Sequence, residues 1–206
     1  MRPLPRLFAF TDRSIRTGER IGATAAAIAA AGPAVALVAR DHDATGAELT
    51  DFAVSLLAHA RPADAALVVA GRPDIAAAIK AHGVHLRGVD LTPADARQVL
   101  RSGWIGRSVH SVYEAGRAVD EGADYVIAGP VYETPSHRGR TPLGLDLIEE
   151  VAQLGRPVIA IGGMTPERVS EIRDAGAWGV AAITALWRAP KPARAALAML
   201  EPWTTT

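Results

Sequence analysis

The sequence predicts a parallel (β/α)₈ TIM barrel, an α/β fold, as one domain over residues 1–206. Three observations carry this. Short apolar runs alternate with helix-like segments along the whole chain, which argues for βα units and a parallel sheet. Several of the runs are continuously apolar, as strands buried on both faces must be. The chain has 206 residues, room for a closed barrel near its minimum size.

The runs follow in order. Leu7 to Thr11 comes first, then Ala34 to Ala39, Ala66 to Ala70 and Gly83 to Leu86. Trp104 to Val109, Tyr125 to Ala128, Pro157 to Ile161 and Val180 to Thr184 complete the set. Between them, Ala-rich stretches such as Ala23 to Ala31 read as helix. Thr92-Pro93 and Thr165-Pro166 each offer a Thr cap followed by Pro at the first helical position. Gly122 and Gly176 suit helix ends that turn back into a strand. A doubly wound open sheet is the alternative. It needs fewer strands and would drop the weakest runs, Ala34 to Ala39 and Gly83 to Leu86.

Composition excludes several classes of function. Apolar residues make up 49% of the chain, enough for a sizeable core. The 22 basic and 22 acidic residues cancel, so charge gives no case for nucleic acid. With no cysteine, disulfides, thiolate catalysis and thiolate metal sites are out. No apolar run approaches the roughly 20 residues of a membrane span. The basic N-terminus has no long apolar leader and runs directly into a strand. A cytoplasmic protein is expected.

A barrel places chemistry at the C-terminal ends of its strands. Those positions hold Thr11 and Asp12, Arg40 and Asp41, Gly71 and Arg72, and Arg87 to Asp90. They continue with His110, Gly129 to Thr134, Gly162-Gly163, and Ile183-Thr184-Ala185. Gly162-Gly163 lets backbone N–H groups approach an anion, and Ile183 and Thr184 add a further N–H and a hydroxyl. The expected ligand is a phosphate ester or diphosphate; the bland reading is a tight turn that needs glycine. The turn is not a P-loop, because the Gly-Lys-Ser/Thr ending is missing. His110 can take and return a proton near neutral pH, or it can merely cap the helix that begins at Val112. Arg40 and Arg72 can bind a substrate carboxylate, or pair with Asp41 and Asp74. His85 points into the mouth or is a satisfied core histidine. Glu133 and Thr134 begin a loop, Tyr132 to Thr141, that reads as a lid or as an ordinary flexible segment. His42, His59 and His82 lack metal-ligand spacing, so no metal site is expected.

The stretches GRSVHSVYEAGRAVDEGADYVIAGPVYETP, PLGLDLIEEVA and PVIAIGGMTPERVSEIRDAGAWGVAAITAL resemble the thiamine phosphate synthase and thiazole tautomerase (TenI) superfamily. Weaker similarity extends back through GVHL, VVAGRPDIA, ALVARDHD and FTD. The resemblance implies a (β/α)₈ barrel and two chemistries. The synthase joins a pyrimidine diphosphate to a thiazole phosphate with Mg²⁺. The tautomerase isomerises a thiazole carboxylate phosphate to its aromatic form and needs no metal.

The chain departs from the synthase pattern. Gln-x-Arg-Glu-Lys is replaced by Val38-Ala39-Arg40-Asp41-His42, and Asn-Asp-Arg, whose Asp holds Mg²⁺, by Ala70-Gly71-Arg72. Asp90 aligns with a second metal carboxylate, and His137 stands where the synthase has lysine. These losses favour the tautomerase, an isomerase, with His110 as acid/base and Arg40, Arg72, Thr134, Gly162, Gly163, Ile183 and Thr184 on a phosphorylated thiazole. No cofactor is then expected. The alternatives are the synthase, a transferase with Mg²⁺ and partial substitution by His42, His137 and Arg138, and a non-catalytic phosphate-ligand binding or regulatory protein. The resemblance leaves a homo-oligomer open.

Overall fold

A computed structural model describes residues 2–134 and 141–204. Its eight strands pair in sequence order, all parallel, and the eighth returns to the first to close a barrel. The strands are β1 (Leu7–Phe10), β2 (Val35–Ala39), β3 (Ala66–Ala70) and β4 (Gly83–Leu86). They continue with β5 (Trp104–Val109), β6 (Tyr125–Ala128), β7 (Val158–Ile161) and β8 (Gly179–Ala182). Closure through Leu7↔Val180 and Phe8↔Ala181 rules out the open sheet.

Crossover helices cover the outside. α1 (Arg13–Arg16) and α2 (Ile21–Ala29) link β1 to β2, and α3 (Gly46–Ala60) leads to β3. α4 (Pro73–Ala78), α5 (Pro93–Val99), α6 (Val112–Asp120), α7 (Asp146–Ala152) and α8 (Val169–Asp174) follow in turn. α9 (Thr184–Trp187) and α10 (Pro192–Leu200) come after β8. Among the described residues, no helix is long and apolar enough to cross a membrane.

The two-residue period of the strands sorts the core into two layers. Phe8, Phe10, Val38, Val68, Tyr125 and Ile159 point inward and fill the barrel. Leu7, Leu37, Leu67, Val84, Val126 and Val180 point outward and meet the helices. Each fully buried large aliphatic side chain contributes about 1.5–3 kcal/mol.

Local sequence rules start the helices. Thr45 and Glu48 form a reciprocal capping box on α3, and the Thr92 hydroxyl accepts from the Asp95 N–H at 3.1 Å on α5. Such caps contribute about 1 kcal/mol each. Two expectations need correction. The Thr165 side chain does not cap the turn that follows it; Pro166–Arg168 is a tight 3₁₀ turn, and α8 begins only at Val169. β8 ends at Ala182 rather than Thr184, because Ile183 leaves the extended region (φ −113°, ψ −86°) and Thr184 opens α9.

Candidate active site

The C-terminal strand ends surround a cavity of about 600 Å³. Among the described residues, three arginines (Arg40, Arg87, Arg168) and three histidines (His42, His85, His110) line it, against one carboxylate, Glu133. In a chain of zero net charge this is a strong local bias toward an anionic ligand.

On one side, β2 and β4 deliver Arg40, His42 and Arg87. Arg40 follows β2, and its Nε donates to the Thr11 carbonyl at 2.8 Å. Its pKa is lowered by burial, and no carboxylate lies within salt-bridge distance among the described residues. Arg87 follows β4 and grips Asp90: its backbone N–H reaches Oδ2 at 2.7 Å, Nε reaches Oδ2 at 3.2 Å, and Nη2 reaches Oδ1 at 2.9 Å. Burial opposes ionisation of Asp90, yet these hydrogen bonds and the Arg87 charge outweigh it and hold the carboxyl below its usual range. Arg87 Nη1 also meets His42 Nδ1 at 3.1 Å. A guanidinium only donates, so this nitrogen accepts and the neutral His42 carries its proton on Nε2. Burial and the two neighbouring arginines lower the His42 pKa.

On the other side, the ends of β7 and β8 supply Gly162, Gly163, Ile183, Thr184 and Ala185, all on the cavity wall. Gly162 and Gly163 have φ of +100° and +66°, which L side chains resist. A Cβ on Gly162 would lie 2.7 Å from the Pro130 Cα. Thus the turn needs glycine for packing and for its backbone conformation. The first N–H groups of α9, as in any helix, have no intrahelical partner. Arg168 reaches back to this turn, with Nη1 donating to the Gly163 carbonyl at 2.6 Å and the guanidinium 4.3 Å over the Tyr132 ring.

The floor is polar. His85 is fully enclosed, its Nε2 lies 2.8 Å from the Ser108 hydroxyl, and its Nδ1 has no partner among the described residues. Burial pushes its pKa down to about 3, so it is neutral. His110 sits at the rim with Nδ1 2.6 Å from the Gly129 carbonyl. That contact places the proton on Nδ1 and leaves Nε2 as an acceptor. His110 does not cap α6; Ser111 does, its hydroxyl accepting from the Glu114 N–H at 3.2 Å.

Of the expected site residues, Arg40, His110, Thr134, Gly162, Gly163, Ile183 and Thr184 meet at this one cavity. Arg72 does not line it; Asp74 holds its guanidinium through Nε and Nη2 at 2.9 and 2.6 Å. Arg87 and Arg168 were not anticipated as ligand groups. The cue for Arg168 was its place just after the Gly-Gly turn. His137, Arg138 and most of the expected lid loop lie outside the described residues.

Comparison with known proteins bears on the same barrel. The family model described as thiamine monophosphate synthase (TMP-TENI) matches residues 7–186. The chain is similar to a thiamine-phosphate synthase of Thermus thermophilus (42% identity over 148 residues, 71% of each chain). It is also similar to one from Methanoculleus marisnigri (40% over 183 residues, 87% of this chain and 86% of that one). A solved thiamine phosphate pyrophosphorylase from Pyrococcus furiosus superposes with a TM-score of 0.83 at 28% identity, covering 96% of this chain and 94% of that one. These relatives overturn the expected tautomerase and its isomerase assignment. The physical reason for the error is visible at the mouth. The expectation rested on residues absent from the ends of β2 and β3, and the end of β4 brings a further cation, Arg87, to the same cavity.

Proposed function

The chain belongs to the thiamine monophosphate synthase family, and we propose that it joins a pyrimidine diphosphate to a thiazole phosphate, a transferase reaction that releases diphosphate. One observation carries this reading: the cavity has two anion-seeking sides rather than one. Strands four apart in an eight-stranded closed barrel face each other, so Arg87 after β4 lies across from Thr184 after β8, and Arg87 Nη1 meets His42 at 3.1 Å. Arg40, Arg87 and His42 occupy the first side, and the Gly162-Gly163 turn, Arg168 and Thr184 the second. A substrate with a single phosphate uses one side only. Two phosphorylated substrates meeting at their uncharged ends use both.

The reaction breaks the bond between the pyrimidine methylene carbon and the diphosphate oxygen, and the electron pair leaves on the diphosphate. The thiazole ring nitrogen supplies the pair for the new carbon–nitrogen bond. The protein's share is to hold both partners in line and to stabilise the charge on the departing group. The β2–β4 side does the second, and the β7–β8 side holds the thiazole phosphate. Ser108 on the floor, with His85 behind it, offers a hydrogen bond to a heteroaromatic ring. His110 changes role accordingly. Coupling needs no proton shuttle between ring atoms, so its Nε2 acceptor positions substrate.

Mg²⁺ is the metal that the resemblance implies, and the residues present do not fit a protein-held ion. Among the described residues there is no group of three His, Asp or Glu able to hold a metal. Asp90 has both oxygens engaged by Arg87, and the neighbouring strand end offers Gly71 instead of a carboxylate.

The test is a steady-state assay with both substrates, following thiamine phosphate and diphosphate. Product in amounts that scale with enzyme supports the reading. Absence of product, with and without Mg²⁺, overturns it.

A further inference from the structure

Resting on the coupling reading, we infer that this chain holds the diphosphate with its own side chains rather than through a resident Mg²⁺: the cations Arg40 and Arg87, with His42 as a neutral N–H donor, form the subsite, and Asp90 is a positioning residue for Arg87. The layering of the pair points this way. The Asp90 side chain is 10% exposed and the Arg87 side chain 44%. Arg87 lines the cavity, and the less exposed Asp90 is not among the lining residues. Three hydrogen bonds tie the two together, so a cation at Asp90 would compete with Arg87 for both carboxylate oxygens.

The neighbouring position argues the same. A Cβ on Gly71 would lie 3.3 Å from Asp90 Oδ2. A carboxylate there would form the paired oxygen set that a divalent ion prefers. This chain carries a hydrogen atom instead, and one carboxylate alone leaves most of a hard cation's shell to solvent and ligand.

The cations are arranged for a multivalent anion. Arg40 is half-buried at the cavity wall and makes no salt bridge among the described residues, the Asp12 and Asp41 charges acting on it from farther off, so its charge is open to an anionic ligand. Arg87 donates to Asp90 and, through Nη1, to His42. That contact fixes His42 as an Nε2–H donor. Guanidinium groups match phosphate oxygens with paired, charge-assisted hydrogen bonds.

The probe is inorganic diphosphate, titrated calorimetrically in excess EDTA and again in excess Mg²⁺. We expect binding in EDTA, with affinity at most about threefold weaker than in Mg²⁺. Arg87→Ala is expected to weaken binding in EDTA about 10- to 100-fold, the range of a lost charge-assisted hydrogen-bond set. Asp90→Asn is expected to weaken it by equal factors in both media, with Arg87→Lys failing to match the parent. Thermal melts confirm that each variant is folded, and the ratio of affinities with and without Mg²⁺ is a readout that a purely structural defect leaves alone.

Binding at least tenfold tighter in Mg²⁺, or an Asp90→Asn effect confined to Mg²⁺, overturns the inference. The two readings fail separately. Diphosphate binding in EDTA without any coupling activity sinks the transferase assignment and keeps the subsite. Coupling that occurs only with Mg²⁺ keeps the transferase and sinks the metal-free subsite.

Discussion

Asp90 turns both carboxylate oxygens to Arg87, and Arg87 turns its remaining Nη1 to His42. The relationship makes a strand-end carboxylate the support of a cation. It reverses the role that the sequence comparison assigns to Asp90, that of a metal ligand.

The pair has a pH signature. The lowered Asp90 pKa means that the folded state favours the ionised form more than the unfolded chain does. Its stabilisation is therefore complete above the ordinary value of 3.8 and is lost as pH falls through the lowered folded value. Asp90→Asn is expected to cost about 1 kcal/mol at pH 7, a modest figure because Arg87 is solvent-facing. Denaturant melts should show the gap between parent and variant steady from pH 8 to 5, then closing below pH 4. A gap that widens on acidification contradicts the pairing.

Installing the absent carboxylate should restore metal dependence. In Gly71→Asp the new side chain starts 3.3 Å from Asp90 Oδ2. The φ of +72° is unfavourable, though Asp tolerates it better than most residues. Diphosphate is expected to bind the variant about tenfold tighter in Mg²⁺ than in EDTA, and the parent within about threefold in the two media. Calorimetry on the pair of proteins checks this.

At the opposite side, Gly162→Ala forces a Cβ to within 2.7 Å of the Pro130 Cα at a φ of +100°. Overpacking of this kind costs about 1–3 kcal/mol. The melting temperature is expected to fall, and KM for the thiazole phosphate to rise more than KM for the pyrimidine diphosphate. Equal changes in both KM values would detach this turn from the thiazole phosphate.

His85 should remain neutral throughout the working range. Its folded pKa is lowered to about 3 by burial, against an ordinary 6.5. The unfolded chain takes up a proton as pH drops below 6.5, and the folded one does not, so stability is lost from there down to about 3. Between pH 7 and 5 this amounts to about 2 kcal/mol, which His85→Asn should escape. An imidazole NMR titration with a midpoint near 6 for His85 would contradict its enclosure.

The barrel was legible in the sequence because buried parallel strands are written as short, continuous apolar runs; Leu7 to Phe10 and Val35 to Ala39 are wholly buried. The misplaced boundary at β8 arose because Ile183 keeps the run apolar past Ala182 and both Ile183 and Thr184 are β-branched residues at home in a strand. The glycine turn and Arg40 were legible from their positions at strand ends. Arg72 was misleading because its partner Asp74 lies two residues away and draws it outward. Arg87 and Arg168 sit beside local partners that make them read as ordinary surface charges. Their convergence on one cavity is a property of barrel closure, which linear spacing does not encode.

The most direct test of the two-sided mouth is single-turnover ³¹P NMR with the protein in excess over both substrates. Inorganic diphosphate and thiamine phosphate are expected to rise together, one for one, and neither is expected when the thiazole phosphate is left out. Diphosphate released at the same rate without the thiazole, or both substrates left unchanged, would contradict a coupling enzyme.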